Sequence, residues 1–160
     1  MASVQDEIAA LRDEVRQLRD RADVAALCDR YAMLLDRHRG ETDWLDSVFT
    51  EDALVVFPFG EFEGRAELER FQKMTGATFE RSHHLSGNHT IELDGDRARV
   101  RGHLQAFHVK RREDPGTHYS IGGHYEAETV RTAAGWRIRQ FDFALTWTEG
   151  EPPGGQAAGS

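Results

Sequence analysis

Residues 97–110, RARVRGHLQAFHVK, alternate between small or apolar side chains and polar ones. The apolar parity carries Ala98, Val100, Gly102, Leu104 and Ala106. A period of two over this length predicts one long strand with a buried face and a solvent face. His108 falls on the apolar parity. Taken alone, such a histidine is more typical of a core residue bonded to a backbone carbonyl than of a functional site.

The composition is typical of a single soluble domain: 160 residues, 39% hydrophobic and 30% charged, with a net charge of -8. An acidic chain is a poor partner for nucleic acid or an anionic membrane, and no apolar run approaches the ~20 residues of a membrane span. The single cysteine, Cys28, cannot form an internal disulfide and lies in an apolar helical pattern, which indicates a buried thiol. We therefore expect a cytoplasmic protein that binds neither nucleic acid nor membranes.

The N-terminal residues predict one long helix whose first half has two possible roles. Apolar residues spaced by four and three form a heptad seam of Val4, Ile8, Leu11, Val15, Leu18 and Ala22. The apolar pattern continues to Leu35, so the helix should run to about Asp36 and end before Gly40. The seam fits a self-association arm and a helix packed on its own domain equally well, because a short helix needs cover for its apolar stripe.

Short elements and then strands follow this helix. We expect a short helix at 43–49 capped by Thr42, a strand at 53–59, a turn at 60–64, and a helix at 65–73 that Gly76 ends. Strands are predicted at 83–88 with a bend at Gly87, at 90–93, at 97–110 after an Asp94-Gly95 turn, at 119–130 with a Gly122-Gly123 bulge, and at 136–147. Helices followed by antiparallel strands indicate an α+β fold, in which a bent sheet and helices enclose a cavity suited to a small molecule.

Four polar side chains lie on the elements that would face this cavity: Tyr31, Asp36, His84 and His108. An aspartate beside a histidine is the minimal general-base unit, because the carboxylate fixes the tautomer of the imidazole and stabilises the imidazolium. A tyrosine adds a hydroxyl donor. The spacing alone does not determine which histidine Asp36 meets.

Several motifs resemble the SnoaL-like branch of the nuclear transport factor 2 superfamily over residues 24–147. They are RYAMLLD, LDSVFTEDALVVF, FEGRAEL, HHLSGNHTIELDGDRARVRGHLQAFHV and GGHYEAETVRTAAGWRI, followed by a strand that ends in Trp147. The resemblance implies a cone-shaped, curved antiparallel or mixed sheet wrapped over three helices from the N-terminal half. With this resemblance the chain divides into a helical extension of helix 1 at 1–23 and a SnoaL-like domain at 24–148. The Pro/Gly-rich composition of residues 149–160 predicts a disordered tail.

This branch includes scytalone dehydratase, bile acid 7α-dehydratase, a dehydrochlorinase and polyketide cyclases. Asp36 matches the helix-end aspartate of the dehydratases, His84 their first catalytic histidine, and His108 the second histidine of scytalone dehydratase. Tyr31 matches the tyrosine that precedes the aspartate in bile acid dehydratase, whereas Leu35 replaces the tyrosine next to the aspartate in scytalone dehydratase. The resemblance favours His108 as the residue that Asp36 orients, with His84, as in the dehydrochlorinase, as the alternative.

The functional expectation is a cofactor-independent lyase that dehydrates, or isomerises, a cyclic hydroxy-ketone or a polyketide- or steroid-like molecule. A polyketide cyclase or a ketosteroid-type isomerase would use the same base, and a non-catalytic small-molecule-binding module is the alternative of another class. A metal site is not expected, because His83 and His84 point to opposite faces of a strand, and His103 and His108 have opposite parity.

The expected partner is a small hydrophobic cyclic substrate. Its candidate binding residues are Phe57, Leu104, Tyr125, Phe143 and Trp147, although aromatic residues at strand spacing more often form plain core. The heptad seam, together with the habit of the family, implies a homodimer or a homotrimer.

Overall fold

The computed structural model describes residues 3–155, which form three helices, six strands and a final 3-10 turn. The elements in chain order are α1 (Val4–Arg37), α2 (Leu45–Val48), β1 (Phe49–Phe57), β2 (Gly60–Glu63), α3 (Arg65–Thr78), β3 (Arg81–Asp94), β4 (Arg97–Val109), β5 (His118–Thr132), β6 (Gly135–Glu149) and the turn Pro153–Gly155. The end of the predicted disordered tail, residues 156–160, lies outside the described residues.

The six strands form one curved sheet in the order β2-β1-β6-β5-β4-β3. Neighbouring strands are antiparallel except for β1 and β6, which are parallel. The predicted α+β class is confirmed, and the sheet stays open at β2 and β3 instead of closing into a barrel. One face of the sheet, here called the inner face, packs against α1 and contributes most of the core.

Strand β4 confirms the predicted alternation, since Ala98, Val100, Gly102, Leu104 and Ala106 are all buried on the inner face. The predicted strands at 83–88 and 90–93 are one continuous β3, and the bend expected at Gly87 is a register shift between Gly87 and Thr90. Asn88 absorbs this bulge with a φ of 56°. A register shift occurs at Gly122-Gly123 as predicted, but the extra residue is Thr146 of the facing strand β6, so the bulge belongs to β6.

Three local predictions differ from the structure. Residues 60–63 form a strand that pairs with β1, where the Phe62 ring packs 4.3 Å from that of Phe71. The helix predicted at 43–49 shrinks to α2, because Phe49 already pairs with Ile138 of β6. Gly76 does not end α3; it lies where a Cβ would come within 2.6 Å of the Cα of Gly40, so glycine is needed for close approach.

Helix α1 carries two apolar stripes on different sides. Val24, Leu27 and Tyr31 are buried in the core of the domain. Val24 is nevertheless rotated by about 200° around the helix axis from Ala22, the last residue of the heptad seam. The seam residues from Val4 to Leu18 are 44–67% exposed, so the helix does not pack its seam on its own domain.

Candidate active site

The carboxylate of Asp36, one residue before the end of α1, is held by three hydrogen bonds from β3. The Ser82 hydroxyl donates to Oδ1 over 2.8 Å, and the backbone N–H of His84 donates to Oδ2 over 2.8 Å. The Nδ1 atom of His84 lies 2.7 Å from Oδ1. Ser82 and His84 share the inner face because side chains two apart on a strand point the same way.

This pairing determines which nitrogen of His84 is available for chemistry. An ionised carboxylate can only accept, so the neutral form of the His84 ring carries its proton on Nδ1 and keeps the lone pair on Nε2. The side chains of His84 and Asp36 are 9% and 20% exposed, so the pair is shielded from bulk water. Burial raises the pKa of Asp36, but the ring and amide N–H groups of His84 and the Ser82 hydroxyl outweigh burial and hold the pKa below 3.8.

His108 adjoins this pair from the neighbouring strand. Its ring centroid lies 5.4 Å from that of His84, at 86°, and 4.9 Å from that of Phe79. Its Nδ1–H donates to the carbonyl of Tyr119 over 3.2 Å, which leaves Nε2 as an acceptor. Burial, and to a smaller extent the positive charge that His84 carries when it is protonated, lowers the pKa of His108 to about 4 and keeps the His108 ring neutral.

The predicted pairing of Asp36 with His108 is wrong, and the alternative with His84 is the one formed. The edge strand β3 runs beside the end of α1, so its side chains reach Asp36 directly. His108 lies one strand further in and uses its Nδ1 on a backbone carbonyl instead.

Sequence reasoning missed two residues that position this site. The first is Ser82, which the parity of β3 could have revealed as the polar neighbour of His84. The second is Arg39, whose side chain donates from Nε to the carbonyl of Phe79 and from a terminal nitrogen to that of Thr75, both over 3.0 Å. Arg39 thereby ties the chain just beyond α1 to the end of α3.

Tyr31 is the one predicted catalytic residue that the structure does not connect to the others. Its ring packs edge-on against Phe49 and Phe141, with centroids 5.1 and 5.5 Å away. Within residues 3–155 its hydroxyl forms no hydrogen bond to Asp36, His84 or His108. Burial raises the pKa of Tyr31, so the hydroxyl stays protonated and can only act as a donor or a neutral acceptor.

Four of the five predicted substrate-binding residues lie on the inner face. Phe57 and Phe143 belong to an aromatic cluster, with centroids 6.3 Å apart. Leu104 lies on β4 opposite Ser86, whose hydroxyl is 3.0 Å from the hydroxyl of Tyr125. The Tyr125 ring crosses Gly102, where a Cβ would come within 2.8 Å of it.

Trp147 lies on the other face of the sheet. Its ring covers Gly122, which pairs with Gln105 on the solvent parity of β4. The bulge in β6 between Leu145 and Trp147 reverses the parity of the strand end. Trp147 therefore lies on the face of the sheet opposite the predicted cavity.

A groove of about 660 Å³ lies away from these residues, along the first half of α1 and beside Arg131. That a closed apolar cavity adjoins the two histidines stays a prediction.

Among residues 3–155, no three histidine, cysteine, aspartate or glutamate side chains form a group that could hold a metal ion. In the same range, no helix combines the length and hydropathy needed to cross a membrane.

The open, curved sheet with a helix-end aspartate on its inner face defines an NTF2-like protein. Residues 16–142 match the SnoaL-like domain, and the chain belongs to this family, as the motifs predicted. The chain matches no curated protein sequence.

Solved structures support the same fold. A Kribbella flavida protein is 26% identical with a TM-score of 0.75, covering 83% of this chain and 95% of its own. A candidate scytalone dehydratase of Novosphingobium aromaticivorans is 22% identical with a TM-score of 0.76, covering 88% and 97%. A type 2 hexachlorocyclohexane dehydrochlorinase is 16% identical with a TM-score of 0.73, covering 88% and 99%. At these identities the last two share the fold alone.

Proposed function

We propose that this protein is a cofactor-independent lyase that removes water from a cyclic hydroxy-ketone, with Asp36 and His84 as its general-base pair. The observation that carries the proposal is the 2.7 Å contact between Oδ1 of Asp36 and Nδ1 of His84. It fixes the tautomer that leaves Nε2 free to take a proton from carbon. The names of two structural relatives, a dehydratase and a dehydrochlorinase, both describe eliminations.

In the proposed reaction, Nε2 of His84 removes the proton from the carbon next to the carbonyl. The electron pair of that C–H bond forms the new double bond as the β-hydroxyl departs. The imidazolium of His84, stabilised by Asp36, returns its proton to the departing oxygen, so the products are water and an unsaturated ketone. A base with a pKa near the working pH serves this step best, and histidine has such a pKa without strong tuning.

His108 and Tyr31 have supporting roles in this proposal. Neutral His108 presents Nε2 as an acceptor, which suits the hydroxyl group of the substrate and orients it for departure. Tyr31 is a protonated donor within the aromatic cluster and would polarise the carbonyl of a ring-shaped substrate. Phe57, Leu104, Tyr125 and Phe143 would supply the apolar walls.

A pure binding module is the competing proposal. Nε2 of His84 has no hydrogen-bond partner among residues 3–155 and is not one of the fully buried polar atoms without a partner, so it can accept from a bound molecule. A free acceptor beside an anchored carboxylate favours proton transfer over passive binding. Isomerisation or cyclisation would use the same base, and the mass of the product separates them from dehydration.

The test is incubation of the purified chain with a panel of hydroxylated polycyclic ketones, followed by mass spectrometry for loss of water. The Asp36→Asn variant and a His124→Ala control are assayed in parallel, since His124 is exposed. Water loss by the wild type and the control, but not by Asp36→Asn, supports the proposal. Binding of a ketone without any change in mass supports the module, and a change without water loss supports the isomerase or cyclase.

A further inference from the structure

The first half of α1 presents an uncovered heptad seam. Five of its residues are large and apolar: Val4, Ile8, Leu11, Val15 and Leu18, with exposed fractions of 67%, 44%, 59%, 45% and 64%. Ala22, which closes the seam, is also exposed. A continuous apolar stripe of this kind is unfavourable in water and is typical of a helix that pairs with another helix.

The residue types of the seam select one kind of pairing. The spacing of four and three places Ile8 and Val15 at a positions and Leu11 and Leu18 at d positions of the heptad. Branched Ile or Val at a, combined with Leu at d, favours parallel two-stranded coiled coils over trimers and tetramers.

The charges beside the seam select the same pairing. In this register Glu7 and Glu14 occupy g positions, and Arg12 and Arg19 occupy e positions. In a parallel pair, Glu7 faces Arg12 of the second copy and Glu14 faces Arg19. A fully overlapped antiparallel pair instead sets Glu14 against Glu14 and Arg12 against Arg12, and retains only the attraction between Glu7 and Arg21. None of these four side chains forms an ion pair within residues 3–155, so all of them are available to a second copy.

The domain holds this helix but leaves the seam exposed, with Ile8, Leu11 and Val15 along the groove that Arg131 borders. Asp20, at an f position opposite the seam, accepts two hydrogen bonds from Arg131 of β5, over 2.9 and 2.7 Å. The capping box of Ser3 and Asp6 closes the other end of the helix. A seam of under three heptads is marginal in an isolated peptide, but here the folded domain has already nucleated the helix.

We propose that residues 4–22 of α1 pair with the same residues of a second copy as a parallel, two-stranded coiled coil. Both N-termini then lie at one end, and the two SnoaL-like domains lie side by side at the other. The expected species is a homodimer, with a second copy of this chain as the only partner that the seam requires.

The first test reverses the charges on the full-length chain and reads the mass by analytical ultracentrifugation. One variant carries Glu7→Arg and Glu14→Arg, and its counterpart carries Arg12→Glu and Arg19→Glu. The wild type should sediment as a dimer, each variant alone as a monomer at the same concentration, and the mixture of the two as a heterodimer. A monomeric or trimeric wild type, or dimers that survive both reversals unchanged, would overturn the proposal.

The second test determines the orientation of the helices. A Val4→Cys substitution places a thiol at a d position, where a parallel pair brings the two copies together and an antiparallel pair separates them by most of the seam. Mild oxidation should cross-link Val4→Cys chains through a disulfide, while Ala10→Cys, on the outer side of the helix, should stay uncross-linked. The native thiol does not interfere, because Cys28 is buried. Equal cross-linking of both variants, or none of Val4→Cys in a dimeric sample, contradicts the parallel arrangement.

Discussion

Asp36 accepts three hydrogen bonds from Ser82 and His84, and the bond to the His84 ring gives this aspartate its proposed role in catalysis. An asparagine at this position keeps the shape but can donate an N–H to Nδ1. It would then favour the tautomer that carries the proton on Nε2 and cannot act as a base. We therefore expect Asp36→Asn to lower kcat on a verified substrate by ~10²–10⁴-fold, which is the usual effect of losing a positioned general base.

The measurement is a steady-state assay of Asp36→Asn, with circular dichroism to establish that the variant is folded. Exposed His124→Ala is the control and should retain wild-type kcat. His84→Ala should lose as much as Asp36→Asn, and Tyr31→Phe should lose less, because Tyr31 forms no bond to the pair. Full activity of both Asp36→Asn and His84→Ala would contradict the catalytic proposal.

The buried ring of His108 makes folding stability depend on pH. The pKa of His108 is lowered from 6.5 to about 4, so between these values the unfolded chain binds a proton that the folded chain does not. The stability of the fold with a neutral, buried His108 is therefore fully present above about pH 6.5 and is lost as the pH falls toward about 4. Between about pH 7 and about pH 5 this loss is about 2 kcal/mol in the free energy of unfolding.

Urea unfolding at these two pH values tests this prediction. His108→Gln keeps an N–H donor for the Tyr119 carbonyl but does not titrate, so its free energy of unfolding should fall about 2 kcal/mol less than that of the wild type. The stability that accompanies the lowered pKa of Asp36 is lost only at lower pH, below 3.8. An equal pH dependence in both proteins would mean that His108 does not titrate in this way.

At the residue scale, parity was enough to place His108 on the inner face, whereas His84 was placed there by its match to the dehydratase motif. The partner of Asp36 could not be predicted, because it depends on which strand lies beside the end of α1. Strand β3 begins only at Arg81, and no local pattern specifies its contact with a helix end so far back in the chain. Ser82 was missed for the same reason, because no local pattern indicates that β3 lies beside the end of α1.

At the scale of elements, the contact between the end of α3 and the chain after α1 helps to position the site. Gly76 packs on Gly40, and Arg39 donates hydrogen bonds to carbonyls in and after the last turn of α3. Helix propensity alone predicts that Gly76→Ala stabilises the protein by up to about 1 kcal/mol. A Cβ there would lie 2.6 Å from the Cα of Gly40, which is backbone and cannot rotate away.

We therefore expect Gly76→Ala to lower the free energy of unfolding. The steric overlap costs about 1–3 kcal/mol, and the gain in helix propensity, up to about 1 kcal/mol, offsets part of this cost. Chemical denaturation measures the change. Gly87→Ala is the matched control, because a Cβ at Gly87 meets nothing within 4 Å and should leave stability nearly unchanged. A more stable Gly76→Ala variant would show that the two backbones can separate without loss.

Elements with strong periodicity were predictable and those set by long-range contacts were not. The alternation of β4 and the Asp94-Gly95 turn are local signals, and both appear in the structure, where Gly95 has a φ of 59°. Strand β2 forms by pairing with β1, and Gly76 lies in α3 where the helix packs on Gly40. Both features depend on contacts between distant residues, so neither has a local signature in the sequence.

At the scale of the whole molecule, the α+β class followed from the order of the elements, and the family followed from the motifs. The role of the seam did not follow from the sequence, because a heptad pattern does not reveal whether its own domain covers it. The structure excludes packing of the seam on its own domain, because the apolar stripe changes sides between Ala22 and Val24 and only the second stripe is buried. Self-association through the seam is the proposal that this exposure supports.

The proposed dimer makes stability depend on protein concentration. Dissociation of a dimer accompanies its unfolding, so each tenfold rise in concentration should stabilise it by up to about 1.4 kcal/mol. The midpoint of thermal unfolding should therefore rise between about 1 and about 100 µM for the wild type. Leu11→Glu places a charge in the seam and should abolish this rise, whereas Ala10→Glu adds the same charge on the outer side of the helix and should preserve it. A midpoint that is independent of concentration in the wild type, or a rise that Leu11→Glu leaves intact, would show that the seam does not hold two copies together.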